Sequence, residues 1–413
     1  MILMRNRIRT YVWGSKTAIA EMLGEPGPAA EPQAELWIGA HPSDPSELVQ
    51  GHIAKSLIDV INADPEGTVG PLVQAEFGAR LPFLLKILAA DAPLSLQVHP
   101  TAEQAAVGYS VEQAKRIPVD SAHRSYRDAW HKPELICALT EFRALCGFRH
   151  VTVTLRALRL LRVDGLSEFI EILRRRPDAQ GVNQVVRRIN ELSKELAGSL
   201  CRQVAAACST WVAAGGGEFD QDFRNVLNLA KRYPGDPGVL ISLLMNHLTL
   251  QPGEAIFLPA GNLHAYLSGV GVEIMASSDN VLRGGLTGKH VDVPELMRVL
   301  DFTPGDDHRV AAVSTRAGEW TYPTPTAEFL LSRIELGPDQ VLQEHSGAQI
   351  LLAVAGELVV TGDDGHRVTV PAGRSLFVPA RQGRVWLSGS GTAFRARDGI
   401  GGVAEVLAED LAA

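Results

Sequence analysis

Between residues 152 and 214 the apolar residues of this 413-residue chain take up a helical period. Leu155, Leu158 and Leu161, then Phe169, Ile170 and Leu173, then Val185, Val186, Ile189, Leu192 and Leu196 recur at spacings of three and four among Arg, Glu and Lys. Pro177 is the only proline in that stretch. Breaks fall at Asp164–Gly165 and Pro177–Gly181, and residues 222–248 add further helix interrupted by the YPGDPG run at 233–238. The sequence on both sides is dense in turns and reads as strands. The chain is therefore mainly β with one helical block, ordered β–α–β–β, and its length predicts two or three domains.

The first β region, residues 1–150, carries turn signals at 24–32 (GEPGPAAEP), 41–46 (HPSDPS) and 91–93 (DAP). Leu81–Leu88 is apolar throughout, and periodicity does not decide between strand and helix there. Leu94 to His99 alternates strictly, as a half-buried strand does, and ends at Pro100. The last β region, about 318–400, predicts strands at Ile350–Val354, Glu357–Val360, His366–Val370 and Arg374–Val378. Turns at Gly356, Asp363–Gly365 and Pro371–Gly373 separate them, which suggests a sandwich or barrel. A Pro/Gly turn feeding an apolar strand that ends in proline occurs at 250–261 and again at 370–381, a weak internal repeat. The second copy has no histidine matching His264, so no metal is expected there.

Charge and cysteines narrow the function. A net charge of −8 argues against a nucleic-acid partner. Cys137, Cys146, Cys201 and Cys208 form no CxxC pair, so neither a zinc ribbon nor a disulfide framework is indicated, and a reducing compartment is expected. No stretch reaches 18 uncharged apolar residues, and the start MILMRNRIRTYVWGSK has no signal-like apolar core. A cytoplasmic chain without membrane anchor and without an obligate protein partner is the expectation.

Three strand faces carry polar side chains. Ser95, Gln97 and His99 share one face of 94–99; Lys132 and Glu134 share one face of the strand that follows His131; His264 opens a strand after the tight turn Pro259-Ala-Gly-Asn. Each alone is an ordinary surface feature. Together, two histidines, a glutamate and a glutamine on the strands of one barrel make a four-coordinate site suited to Zn²⁺.

The chain at these positions resembles type I mannose-6-phosphate isomerases (phosphomannose isomerases), zinc enzymes of the cupin superfamily. The resemblance runs through Tyr11-Val-Trp-Gly14, Ala34 to Pro42, Leu81 to Leu88, Leu94 to Pro100, Tyr126-Arg-Asp128, His131-Lys-Pro-Glu134, Pro259 to Tyr266, Gly271 to Met275 and Ser278 to Lys289. Gly284 and Gly288 stand where the family commonly has Ala and Pro. The resemblance implies one zinc per chain on Gln97, His99, Glu134 and His264, and a catalytic Arg283. It also implies a substrate pocket lined by Ser95, Lys132, Glu273 and Lys289. It implies a discontinuous cupin jelly-roll catalytic domain (1–150 and 246–315), an inserted all-α domain (151–245) and a C-terminal cupin-like domain (316–413).

The activity so implied is the exchange of D-mannose 6-phosphate with D-fructose 6-phosphate through an enediol(ate). His131, Lys132 and Glu273 are candidates for moving the proton, and Lys289, Lys132 and Lys86 for the phosphate. Two other readings differ in testable ways. A cupin oxygenase would use Fe²⁺ and usually a two-His, one-carboxylate triad, against which Gln97 and the lysines argue. A non-catalytic phosphosugar-binding module would not need Arg283 together with all four ligands.

Overall fold

The computed structural model describes residues 1–402. The sheet that carries the polar strand faces is organised by the 13-residue strand His264–Ala276. Its first half pairs antiparallel with Phe142–Phe148 and touches Leu96–Val98 at His264. A register shift between Tyr266 and Ser268 bends it, and from Gly269 onward it lies between Phe83–Ala90 and Glu134–Ala138. A β-bulge re-aims a strand in this way, so one strand serves two layers.

The side-chain alternation sorts the layers. Leu85, Ile87, Leu135, Cys137, Val272 and Ile274 face outward onto the C-terminal sheet, where Tyr322, Phe329, Ile350 and Phe394 meet them in one core. The intervening residues point inward: Leu88, Ile136, Phe142, Cys146, Leu258 and Tyr266 form the inner core. On the other side Leu96, Val98, Ala265 and Leu267 pack against the helices.

The helical block comprises Val151–Leu161, Ser167–Arg175, Ala179–Asn190, Lys194–Ala213, Asp220–Arg232 and Pro237–Ser242. The Asp178 side chain accepts from the backbone N–H groups of Gln180 and Gly181, so the third helix starts inside the expected 177–181 break. Residues 245–248 are a correction. They belong to the strand Met245–Leu250, which pairs with Phe142–Phe148. A short apolar run at the end of a helical block has no period of its own to mark the change.

In the C-terminal region the expected turn at Gly356 is also corrected. Gln349–Gly362 is one 14-residue strand paired along its length with Arg384–Arg397. The register slips between Ala353 and Ala355, and Gly356 has φ +72° with Ser390 O where a Cβ would lie. Glycine here permits a bulge, not a turn. The same sheet takes in Ile2–Arg5, which pairs with Ser375–Val378 and with Glu47–Gln50, so the N-terminal strand completes the C-terminal sheet.

Candidate metal centre

Strand alternation delivers the polar residues to the inner face. Leu96 and Val98 enter the helical core, which turns Gln97 and His99 the other way. Leu135 faces the C-terminal sheet, so Glu134 faces inward with Ile136. His264 shares its face with Tyr266. The turn before His264 passes through Gly261 at φ +80°, and the Gly261 N–H donates to His99 O at 2.8 Å, tying the two histidine segments together.

The donors converge on one point. His99, Glu134 and His264 are buried, with ligand atoms all within 4.8 Å of one another. His99 Nε2 lies 3.3 Å from Glu134 Oε1, and His264 Nε2 lies 3.4 Å from Glu134 Oε2. His99 Nδ1 meets Asn280 O at 2.7 Å, and His264 Nδ1 meets Asn262 O at 3.1 Å. A carbonyl only accepts, so each Nδ1 carries a proton and each Nε2 is the ring atom turned to the carboxylate. His99 Nε2 accordingly makes no hydrogen bond although it is buried. A buried imidazole nitrogen left unbonded beside a second imidazole and a carboxylate is what a zinc ion would satisfy. Burial pushes the His99 ring down to about 4 against the pull of Glu134, which keeps it neutral. Burial works to raise the Glu134 carboxyl, but Lys132, His99 and His264 outweigh it and hold it well below the usual range.

Lys132 Nζ stands 2.8 Å from Glu134 Oε1, both buried, so this KxE pair is not a surface ion pair. Deeper in, Lys86 Nζ lies 3.0 Å from Glu273 Oε2 and 3.7 Å from Glu35 Oε1. Tyr266 OH donates to Glu273 Oε1 at 2.8 Å, and Trp37 Nε1–H donates to Glu35 Oε2 at 2.8 Å. Burial disfavours the Lys86 ammonium, but Glu273, Glu35 and Glu134 more than offset it, so it stays charged.

The other expected residues divide. Arg283 lies on Leu282–Gly285, in register with Gln97, and is half-buried. Burial, then repulsion from Arg127, lowers its pKa, though not enough to discharge a guanidinium. Gln97 is also in register with His264 on its other side. Ser95 is half-buried, two residues before Gln97; Lys289 is exposed. His131 engages Glu328 of the C-terminal region, Nε2 to Oε1 at 2.5 Å, rather than the donor cluster.

Asn280 was missed as a functional residue. Its carbonyl holds His99, its Oδ1 accepts from the Arg127 and Asp128 N–H groups at 2.7 and 3.2 Å, and its Nδ2 donates to Trp130 O at 2.8 Å. Asp279 beside it pairs with buried His41 at 3.4 Å. The only signal in sequence is that both lie in a block of family resemblance. Nothing in their spacing predicts a contact to residues some 150–240 positions away.

Known proteins match this arrangement. Residues 1–151 fit the family model described as phosphomannose isomerase type I, catalytic domain. The mannose-6-phosphate isomerase of Salmonella typhimurium is 36% identical over 390 residues, covering 94% of this chain and 96% of its own. That of Escherichia coli is 36% identical over 389 residues, with the same coverage. A crystal structure of the Salmonella typhimurium enzyme bound to its substrate fructose 6-phosphate and a zinc atom superposes with a TM-score of 0.89 at 36% identity, covering 96% of this chain and 99% of that one. Among the described residues no helix is long and apolar enough to cross a membrane.

Proposed function

The chain belongs to the type I mannose-6-phosphate isomerase family, and on that premise we propose how its residues carry the reaction. It is a zinc-dependent aldose–ketose isomerase that interconverts D-mannose 6-phosphate and D-fructose 6-phosphate. A proton must move between C1 and C2 while negative charge develops on the sugar oxygens. His99, Glu134 and His264, with Gln97 as the fourth ligand, would hold one zinc ion. When bound, zinc supplies Lewis-acid polarisation of those oxygens. The observation that carries this reading is the meeting of two buried imidazoles, each held through Nδ1 by a carbonyl, and one carboxylate inside the barrel.

Arg283 stabilises the developing enediolate. A guanidinium cannot lose its proton near neutrality, so its part is electrostatic. Lys132 and Glu273 both face the barrel interior and serve as the proton-transfer candidates, whereas His131 is bound to Glu328. Lys86 is neutralised by Glu273 and Glu35, so its part is to fix Glu273. Ser95 and Lys289 line the substrate side.

We read residues 1–150 and 246–315 as the cupin catalytic domain, except that Ile2–Arg5 and Glu47–Gln50 join the C-terminal sheet, and 151–245 as a helical insertion. Residues 316–413 form the C-terminal cupin-like domain, of which 403–413 lie outside the described residues. The four unpaired buried cysteines support a cytoplasmic setting. The purified chain should convert mannose 6-phosphate to fructose 6-phosphate without consuming oxygen. Oxygen uptake, or binding without conversion, would favour the oxygenase or the binding-module reading instead.

A further inference from the structure

The Arg283 side chain has no hydrogen-bond or ion-pair partner among the described residues. A guanidinium without partners takes its place from the backbone beneath it. That backbone is pinned on the N-terminal side, where Asn280 is tied to the 127–130 loop and to the His99 ring. On the C-terminal side the helical insertion holds it.

After Arg283 the chain turns sharply out of the sheet. Its pairing with Leu96–Val98 shifts register between Arg283 and Gly285, and two residues with positive φ follow in succession, Gly285 at +128° and Leu286 at +53°. Leucine adopts that conformation against a steric cost, so it persists only where the surroundings over-determine it. Asp236 supplies the restraint. It lies in the YPGDPG run, immediately before the helix Pro237–Ser242. Its Oδ1 accepts from the Gly238 N–H at 2.7 Å and from the Leu286 N–H at 2.9 Å, and its Oδ2 accepts from the Thr287 N–H at 3.2 Å. One carboxylate thus joins the start of that helix to the turn after Arg283. The two backbones also touch: a Cβ on Gly285 would lie 2.9 Å from Gly238 Cα, and one on Gly238 would lie 2.8 Å from Leu286 N. The Leu286 side chain is buried in the same core as Val239, Leu240 and Ile241 of the helix. The turn is therefore clamped to the insertion by hydrogen bonds, by close backbone packing and by a buried side chain.

We propose that Asp236 is a positioning residue for the isomerase: from the helical insertion it fixes the turn after Arg283 and so sets where the guanidinium stands beside the zinc ligands. The proposal rests on the reading of Arg283 as the catalytic arginine, and it gives the insertion a part in the reaction. A charged donor stabilises a developing charge only from the right place, and a displacement of about 1 Å can cost about 10²-fold in rate.

The test separates capping of the short helix from positioning of Arg283. Serine caps a helix start about as well as aspartate, but its single oxygen on a shorter side chain cannot hold Gly238, Leu286 and Thr287 together. In the zinc-loaded full chain, Asp236→Ser should lower kcat about ten- to hundredfold with KM for mannose 6-phosphate within about threefold. Zinc content should stay at the wild-type level. Asp236→Asn keeps one acceptor at the same reach and should retain part of the lost rate; it carries the same comparison should the serine variant not fold. Asp178→Ala, which removes the cap of another helix in the insertion, should lower the melting temperature and leave kcat within about twofold. In an Arg283→Ala background, Asp236→Ser should lower kcat by no more than about a further twofold, because the group it positions is gone. A kcat within about twofold of wild type in folded Asp236→Ser, or a full tenfold loss on top of Arg283→Ala, would overturn the proposal. Wild-type turnover in Arg283→Ala alone would instead strike the reading of Arg283, and the proposal with it.

Discussion

The two β regions share one building plan and have different interiors. In each, a long strand bends at a register shift: His264–Ala276 shifts between Tyr266 and Ser268 and changes partners, and Gln349–Gly362 shifts between Ala353 and Ala355, keeping Arg384–Arg397 on one edge while Ser375–Val378 gives way to Arg367–Pro371 on the other. In the first region the inward polar groups include two imidazoles that share one carboxylate, with His99 Nε2 left without a hydrogen bond. In the second, Glu319 is answered on the spot: Gln343 Nε2 donates to its Oε2 at 2.8 Å, and Arg395 Nη1 lies 3.5 Å from its Oε1. Arg395 Nε also donates to Gln349 Oε1 at 2.6 Å. A bent sandwich therefore supplies a lined interior, while the donor set decides whether that interior can take a metal. Both carboxylates have a cation beside them, Arg395 on Glu319 and Lys132 on Glu134, and what sets Glu134 apart is that two imidazole Nε2 atoms also face it.

The largest contrast should come from matched deletions. Glu134→Ala should lower zinc content below about one tenth of an equivalent and kcat/KM by about 10³-fold or more. Glu319→Ala, the corresponding loss in the other region, should leave kcat/KM of the folded protein within about twofold. It would cost roughly 1–3 kcal/mol in unfolding free energy, because the buried Gln343 Nε2 then loses its acceptor. If the two deletions affected turnover alike, the division of labour between the regions would be wrong.

Arg283→Ala should lower kcat about 10²–10³-fold, since a donor aimed at a developing charge matters when that charge forms. Arg283→Lys should recover part of this, and zinc content should hold in both. Asn280→Ala removes the side chain that orders the 127–130 loop around the carbonyl holding His99. A loss of about 10- to 100-fold in zinc affinity is expected, read by competition with a chelator.

The smallest effect is a pH dependence. In the metal-free protein His99 titrates near 4, below its ordinary value of 6.5. The unfolded chain therefore binds the proton more readily, and stability should fall as pH drops from about 6.5 towards 4. His99→Gln should flatten that limb of the melting-temperature profile. Acid sensitivity identical in wild type and variant would place its origin elsewhere.

Much of this was legible in sequence for local reasons. The period-2 stretch at 94–99 predicted the inward face of Gln97 and His99, and the helical period from 152 predicted the helices. What failed was non-local or conformational. Gly356 reads as a turn because glycine marks both turns and bulges, and only the partner strand distinguishes them. The pairing of Ile2–Arg5 with Ser375–Val378 spans almost the whole chain and leaves no trace in either segment. Asn280 works through its backbone carbonyl as well as its amide, and the carbonyl has no sequence signature.

Metal titration of the isomerase decides whether the His99–Glu134–His264 cluster is the engine of the reaction. Protein stripped of metal and verified by elemental analysis should have less than about one thousandth of the holoenzyme rate. Activity should return in proportion to added Zn²⁺ and stop rising at one equivalent per chain. Full turnover of mannose 6-phosphate in a verified metal-free sample, or recovery that needs two equivalents, would contradict a single zinc centre built from these strands.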